Sequence, residues 1–215
     1  GNDKHISTKH LQDMTNLCPI HFTDSDFTLP SAQQDEELRQ GLETIHSTGK
    51  GLVNFVMSYR RLTRLPSPDP TLFAVRPFLE RMVQLAQHQH PSPNVRITLE
   101  RVDEDLMAFA DESMMTQVVI NLLKNAVQAI GGTKEGEIRI RAYVDSQDIV
   151  RIEVANNGPK IAPEVAEQMF VPFFTTKEEG SGIGLSLSKQ MMRLQGGNVS
   201  LLPYRDEWTT FVVTI

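Results

Sequence analysis

The stretch EEGSGIGLSLSKQMMRLQGG, residues 178–197, holds three glycines in five residues and continues directly into a segment patterned as a helix. Glycine loses more backbone entropy on ordering than other residues, so Gly180, Gly182 and Gly184 are an unfavourable approach to a helix. One interpretation is a flexible loop. The other is a phosphate site, in which backbone N–H groups approach an anion at a helix N-terminus. The flanking sequence decides between the two.

Composition and charge exclude several classes of protein. The 215 residues, of which 40% are hydrophobic and 22% charged, are ordinary for a soluble globular chain of one large or two small domains. The net charge of −6 argues against nonspecific binding to nucleic acid or anionic membranes. The single cysteine, Cys18, excludes a disulfide framework and is typical of a reducing compartment. No apolar run approaches the roughly 20 residues that span a bilayer.

Three prolines divide the chain into two regions. Pro66, Pro68 and Pro70 cannot lie inside a helix, so a long helix ends near Leu65 and a linker follows. Within this helix, hydrophobic residues recur mainly at three- and four-residue steps: Leu38, Leu42, Ile45, Leu52, Phe55, Val56, Tyr59 and Leu62. A stripe of this length is buried stably only against other helices. We therefore expect a helical hairpin, whose first helix ends by Ile20, to dimerise into a four-helix bundle.

After the linker the pattern changes to mixed α and β. Residues 71–90 and 112–130 are patterned as helices, the second with Asp111 as N-cap and Gly131 at its end. The strands are predicted over VRITLER, EIRIRAYV, DIVRIEVAN, NVSLLP and WTTFVVTI, with a hairpin turn at DSQD. Strands and helices in separate runs predict an α/β sandwich, in which helices cover one face of an antiparallel or mixed sheet.

Two asparagines stand out in the helix ESMMTQVVINLLKNAVQAI. Asn121 and Asn125 are four residues apart and share one face, although asparagine is a poor residue for a helix interior. They are either two solvated amides or oxygen ligands for a hydrated Mg²⁺, with Lys124 beside them to contact phosphate. Further along, Asn156 stands at a strand end, where its amide is placed to pair with an adenine edge. The alternative for Asn156 is a plain turn from strand to loop.

A third group of polar residues precedes the glycines. In FVPFFTTK, Phe173 and Phe174 are aromatic residues in a loop, and Thr175, Thr176 and Lys177 offer the hydroxyl and ammonium donors that a triphosphate needs. The helix that begins in LSLSKQMMRLQ directs the positive end of its dipole toward the glycines. A Walker-type phosphate loop is excluded because its sequence pattern is absent.

In this order and spacing, the motifs make residues 70–215 resemble the catalytic ATP-binding domain of sensor histidine kinases, which shares the GHKL (Bergerat) fold with DNA gyrase and MutL. NLLKNAVQA is similar to the N box of that family, VANNGPKI to the G1 box, FVPFFTTK to the F box and GSGIGLSLS to the G2 box. The resemblance implies that GSGIG is the hinge and phosphate contact of an ATP lid. We expect this lid to be the most mobile part of the domain when no ligand is bound.

The resemblance also implies a set of site residues. Asn125 and Asn121 would hold Mg²⁺ and serve the phosphoryl transfer. The ATP-binding residues would be Asn121, Lys124, Asn125, Asn156, Gly158, Phe173, Phe174, Thr175, Thr176, Lys177, Gly180, Ser181, Gly182, Ile183, Gly184, Leu185 and Thr209.

Two departures from the family pattern bear on function. In the G1 box, Asn156 stands where the family has Asp, and Lys160 stands where it has a second Gly, so we expect weakened ATP binding and a costly backbone at Lys160. The box that should carry the phosphoacceptor histidine is atypical. MTNLCPI resembles its downstream part, but ungapped counting places Leu11 at the histidine, one residue after His10. His10 is therefore either the phosphoacceptor or an ordinary surface histidine, and His46 is expected to be structural or solvated.

Taken together, these observations predict a dimerisation and phosphotransfer region over 1–66 and a catalytic ATP-binding domain over 67–215. The expected activity is that of a two-component sensor: a protein-histidine kinase that uses Mg·ATP, forms a homodimer and passes the phosphoryl group to a response-regulator receiver domain. We expect a cytoplasmic part of a longer sensor, with no contact to membrane or nucleic acid. The alternatives are an ATP-binding dimerisation module without kinase activity, or a serine kinase of the anti-sigma-factor type.

Overall fold

The structure, a computed structural model, describes residues 32–89, 92–131, 135–177 and 180–215. The chain divides into two units, residues 1–48 and 49–215. No helix in these described ranges is long and apolar enough to cross a membrane. The expected first helix of the hairpin, including His10, lies outside the described residues, and the domain boundary at residue 66 stays a prediction.

A long helix, α1, runs over Ala32–Thr63, close to the expected bounds. In the first unit its large apolar side chains stand in solvent: Leu38, Leu42 and Ile45 are 59–70% exposed. In the second unit Leu52 and Val56 are exposed as well. Such a row of exposed apolar side chains indicates a surface that another helix covers.

A mixed five-stranded sheet forms the centre of the second unit, as predicted. Its strands are β2 at Val95–Val102, β4 at Gly136–Val144, β5 at Val150–Asn156, β6 at Asn198–Leu201 and β7 at Thr209–Thr214. Their order in the sheet is β2-β4-β5-β7-β6, and β2 and β4 are parallel whereas the other neighbouring pairs are antiparallel. The predicted hairpin is the β4–β5 pair, and the predicted final strand pair is β6–β7.

Helices cover one face of this sheet, which confirms the α/β sandwich. They are α2 at Val75–Gln89, α3 at Glu112–Ile130 and α5 at Gly184–Leu194. A short helix, α4 at Pro163–Gln168, has no buried residue. Alternate side chains of the central strands, such as Ile140 and Ile152, are fully buried beneath them, as are Val118 and Leu122 of α3. The apolar residues that recur with period 2 in the strands and with helical period in the helices thus pack into one hydrophobic core.

The structure corrects one predicted element. Residues 71–74 are not helical; Thr71–Ala74 form strand β1, which pairs antiparallel with β3 at Met107–Ala110. In this ribbon Phe73 is buried and Leu72 is exposed, so the segment has the alternation of a strand. The sequence prediction missed β3 and α4 because both are short and leave little room for a period to repeat.

Asp111 caps α3 as expected and also holds the linker in place. Its carboxylate accepts hydrogen bonds from the backbone N–H groups of Ser113 at 2.9 Å and Met114 at 3.0 Å, and from that of Asp69 at 3.0 Å. At the other end, Gly131 takes a positive φ of 71°, as a helix-terminating glycine does. These two termini set the length of the helix that carries Asn121 and Asn125.

Candidate functional site

A cleft of about 690 Å³ opens between α3, the end of β5, the start of β7 and the segment leading into α5. Most of the predicted site residues line it: Asn121, Lys124, Asn125, Asn156, Phe174, Thr175, Thr176, Lys177, Gly180, Ser181, Gly182, Gly184, Leu185 and Thr209. Gly158, Phe173 and Ile183 are their neighbours in the chain but do not line the cleft. The fold thus brings four separated motifs to one place.

One end of the cleft, here called the buried end, is lined by Asn156 and Thr209, and Gly158 contacts Asn156 without lining the cleft. The side chain of Asn156 is only 1% exposed, and both of its polar groups have protein partners. Its Nδ2 donates to the Thr209 carbonyl at 3.3 Å, and its Oδ1 accepts from the Gly158 N–H at 3.0 Å. The pairing of β5 with β7 places Asn156 directly opposite Thr209, so the strand register itself positions this end.

A second part of the cleft, here called the lid end, consists of Asn125, Gln128 and Lys177. The Lys177 ammonium group donates to Asn125 Oδ1 at 3.2 Å and to Gln128 Oε1 at 2.5 Å. Partial burial, and then the positive charge of Lys124, hold the pKa of Lys177 below its ordinary value. A cation that is partly desolvated beside a second cation is arranged to receive an anion.

The two asparagines of α3 have different surroundings. Asn121 donates from Nδ2 to the hydroxyl of buried Ser188 at 3.0 Å, which ties α3 to α5. Its side chain also lies against Gly184, where an added Cβ would come within 2.3 Å of Asn121 Oδ1. Asn125 Oδ1, by contrast, accepts from the mobile end of a lysine side chain. The contacts therefore engage the Nδ2 group of Asn121 and the Oδ1 atom of Asn125, and in Asn125 it is the oxygen that already contacts a cation.

The glycines of GSGIG are explained by close approaches and by the start of α5. Gly182 has a φ of 65°, and an added Cβ would lie 2.4 Å from the carbonyl carbon of Phe173. The Phe173 N–H donates to the Gly182 carbonyl at 2.9 Å, so the two segments are held together at this point. Helix α5 begins at Gly184 without a side-chain cap, which leaves its first N–H groups available to a ligand.

Several lining residues were not predicted from the sequence. Gln128 follows Asn125 by three residues on the same helix face, and this spacing was a signal that could have identified it. Apolar side chains complete the wall: Ile161, Ala162, Val165, Met169 and Phe211. Those from 161–169 belong to the segment around α4, which showed no pattern long enough to detect.

The expected backbone cost at Lys160 is not observed. In the described ranges the non-glycine residues with positive φ are Asp148, Phe173, Asp206 and Glu207, so Lys160 has an ordinary backbone. Its ammonium group lies 5.6 Å from the centre of the Tyr204 ring, at the edge of the cleft. The replacement of a family glycine by Lys160 therefore leaves the local fold unstrained.

The side chains of the lid end suit a divalent cation that keeps several water ligands better than one that is surrounded entirely by protein ligands. Within the part of the chain that the structure describes, no three His, Cys, Asp or Glu side chains converge on a metal site. Asn125 Oδ1 already faces a positive charge, and amide oxygen is a ligand type that Mg²⁺ accepts. A Mg²⁺ ion held by one amide oxygen, phosphate oxygens and water is compatible with these residues.

Comparison with known proteins identifies similar sequences. Residues 110–215 match the family model described as "Histidine kinase-, DNA gyrase B-, and HSP90-like ATPase". The chain is 34% identical over 142 residues to the C4-dicarboxylate transport sensor protein DctB of Rhizobium meliloti, covering 66% of this chain and 22% of that protein. It is 34% identical over 116 residues to the sensor histidine kinase ZraS of Salmonella typhimurium, covering 54% and 23%. The chain thus spans about a fifth of the length of these relatives.

Solved structures show the same likeness. The catalytic domain of histidine kinase ThkA superimposes with a TM-score of 0.60 at 32% identity, covering 68% of this chain and 95% of that one. The structure of histidine kinase ThkA in complex with the response regulator protein TrrA gives a TM-score of 0.65 at 25% identity, covering 96% and 55%.

Proposed function

We propose a function from one premise: the chain belongs to the family of histidine kinase-, DNA gyrase B- and HSP90-like ATPases, and it corresponds to the core of a sensor histidine kinase. On this premise, the cleft binds Mg·ATP and the chain transfers the γ-phosphoryl group to a histidine. A response-regulator receiver domain then takes the phosphoryl group on an aspartate.

One observation carries the proposal. A single cleft collects a buried polar end that suits a purine base and a cationic end that suits phosphates, with an uncapped helix N-terminus beside the second. Apolar side chains that line the same cleft, including Met169 and Phe211, suit the faces of a base. A nucleoside triphosphate matches the chemistry of these surfaces.

The residues of the lid end supply alignment and charge rather than covalent chemistry. Phosphoryl transfer depends mainly on positioning and on stabilising the charge of the transferred group. Lys177, Lys124 and the first N–H groups of α5 would orient the phosphates, and Asn125 would hold Mg²⁺ through Oδ1. When bound, Mg²⁺ neutralises phosphate charge. Thr175 and Thr176 line the cleft and would add hydroxyl donors.

The acceptor would be a neutral imidazole, which is available because the pKa of histidine lies near 6.5. His10 is our candidate within this chain, on the position of the atypical histidine box alone. The complex of histidine kinase ThkA with the response regulator TrrA supports a receiver domain as the partner.

We also propose that the chain is a homodimer through α1. The exposed apolar side chains Leu38, Leu42 and Ile45 recur at helical spacing and would be covered by a second copy. Light scattering at micromolar concentration should give the dimer mass for the full chain and the monomer mass for residues 67–215. A monomer for the full chain would contradict the bundle.

Labelled ATP tests the kinase function. Incubation with γ-labelled ATP and Mg²⁺ should place an acid-labile, base-stable label on the chain, as phosphohistidine requires, and His10→Gln should remove it. An acid-stable label would indicate a serine kinase instead. ATP binding without any label would indicate an ATP-binding dimerisation module. His46→Gln is the matched control, and it should retain the label.

A further inference from the structure

The amide of Asn156 is held in one orientation by its two partners. Nδ2 donates to the Thr209 carbonyl at 3.3 Å, and Oδ1 accepts from the Gly158 N–H at 3.0 Å. A flipped amide would set its oxygen against the Thr209 carbonyl and its NH₂ group against the Gly158 N–H. Both contacts would then be repulsive, so the observed orientation is the only one that satisfies this buried side chain.

The two bonds leave the amide with one donor and one acceptor. An amide NH₂ group carries two hydrogens and its oxygen carries two lone pairs, and each partner uses one. Asn156 lines the cleft, so the remaining N–H and lone pair would be the groups available to a base bound at the buried end. A carboxylate at this position would offer acceptors alone.

This difference matters for the six-position of a purine. Adenine carries an amino group there, which is a donor, whereas guanine and hypoxanthine carry a carbonyl oxygen, which is an acceptor. A carboxylate attracts the adenine amino group and repels the carbonyl of a 6-oxopurine. The Asn156 amide pairs with either, because it presents its lone pair to an amino group and its N–H to a carbonyl oxygen.

We propose that Asn156 makes this site accept 6-oxopurine nucleotides as well as adenine nucleotides. The inference rests on the proposed nucleotide-binding function and narrows its substrate class to purine triphosphates without strong selection at the six-position. The Thr209 carbonyl lies 3.3 Å from Nδ2 and accepts a hydrogen bond from it. The same carbonyl would repel a carboxylate, so it favours the neutral amide of Asn156 at this position.

Competition titrations on the full chain test this with ATP, inosine triphosphate and GTP, each with Mg²⁺, and CTP as the pyrimidine control. Inosine triphosphate tests the six-position alone, because it lacks the 2-amino group of guanine. We expect its affinity to lie within about tenfold of that of ATP. A difference of this size in binding free energy is smaller than the contribution of one charge-assisted hydrogen bond. An affinity for inosine triphosphate more than tenfold below that of ATP would overturn the inference.

The substitution Asn156→Asp adds a second arm. The ratio of inosine triphosphate to ATP affinity should fall at least about tenfold in this variant, because the carboxylate repels the 6-oxo group. An unchanged ratio would also overturn the inference. If Asn156→Asp fails to fold, the ratio measured on the unaltered chain decides alone. Absence of all purine binding in the unaltered chain would instead reject the proposed function itself.

Discussion

The two ends of the cleft differ in how much of their structure exists before a ligand arrives. At the buried end, Asn156 and Thr209 are 1% and 4% exposed, and hydrogen bonds between adjacent strands hold them. At the lid end, Lys177, which donates to Asn125, is only partly buried and belongs to the loop before α5. We infer that the buried end recognises a ligand as it stands, whereas the lid end rearranges around it.

The physical reason for the difference is burial. A polar side chain inside the protein must have its hydrogen bonds satisfied, and those bonds also fix its position. An exposed ammonium group can exchange protein oxygens for phosphate oxygens at little cost, because water and the ligand offer similar partners. The same cleft can therefore combine a rigid base site with an adaptable phosphate site.

The largest effect is expected from Asn125→Ala. Losing a hydrogen bond or metal contact to a charged group costs about 1.5–3 kcal/mol, so ATP affinity in the presence of Mg²⁺ should fall about ten- to a hundredfold. Calorimetric titration with and without Mg²⁺ separates the metal-dependent part. Asn121→Ala is the matched control, because the Asn121 amide joins α3 to α5 through Ser188 and its oxygen contacts no cation among the described residues, so we expect its loss to change metal dependence less. Unchanged metal dependence in Asn125→Ala would refute the assignment.

A smaller effect, confined to phosphates, is expected from Lys177→Met. ATP affinity should fall about tenfold, since one charge-assisted contact is lost, while adenosine affinity should stay the same. Adenosine contacts the buried end without reaching the lid end, so the pair of ligands separates the two. Lys189→Met is the control, because that ammonium group lies 4.4 Å from the centre of the Phe170 ring and does not line the cleft. An equal loss of adenosine affinity would contradict the division of the cleft into a buried end and a lid end.

The smallest effect on binding is expected from Asp111→Ala, which removes the cap of α3. The free energy of unfolding should fall by about 1 kcal/mol, measured by urea denaturation, with ATP affinity unchanged. A loss of ATP affinity, measured under conditions in which the variant is fully folded, would show instead that the helix terminus controls the site.

The same cap predicts a pH dependence. Hydrogen bonds from the backbone N–H of Asp69, and then of Met114, hold the pKa of Asp111 below its ordinary value. The stabilisation is present above the pKa of the unfolded carboxyl and is lost as the pH falls below about 4. Asp111→Asn retains a capping oxygen and should remove this part of the pH dependence. Identical acid unfolding of both proteins would contradict it.

Much of the fold could be predicted from periodicity. The alternation in EIRIRAYV and DIVRIEVAN was long enough to specify a hairpin, and Asp111 and Gly131 marked both ends of α3. Strand β1 was taken for the start of a helix because four residues cannot distinguish the two periods. The pairing that makes it a strand comes from β3, more than thirty residues later.

The residues that share the cleft could be predicted from the sequence, whereas their contacts could not. Motif order placed Asn125, Asn156 and Lys177 together, although they are far apart in the chain. That Nδ2 of Asn156 would meet a main-chain carbonyl depends on the β5–β7 register, and that Lys177 would meet Gln128 depends on the loop path. Neither is encoded in a local pattern, because both are contacts between distant segments.

Hydrogen exchange with and without Mg·ATP tests most directly whether the two ends differ as described. We predict a large gain of protection in peptides covering 171–177, which include Lys177 of the lid end, and 180–185, which lead into α5. Peptides of β5 and β7 around Asn156 and Thr209 should already be protected and should change little. A similar gain at both ends, or a larger gain at the buried end, would contradict a preformed base site joined to an adaptable phosphate site.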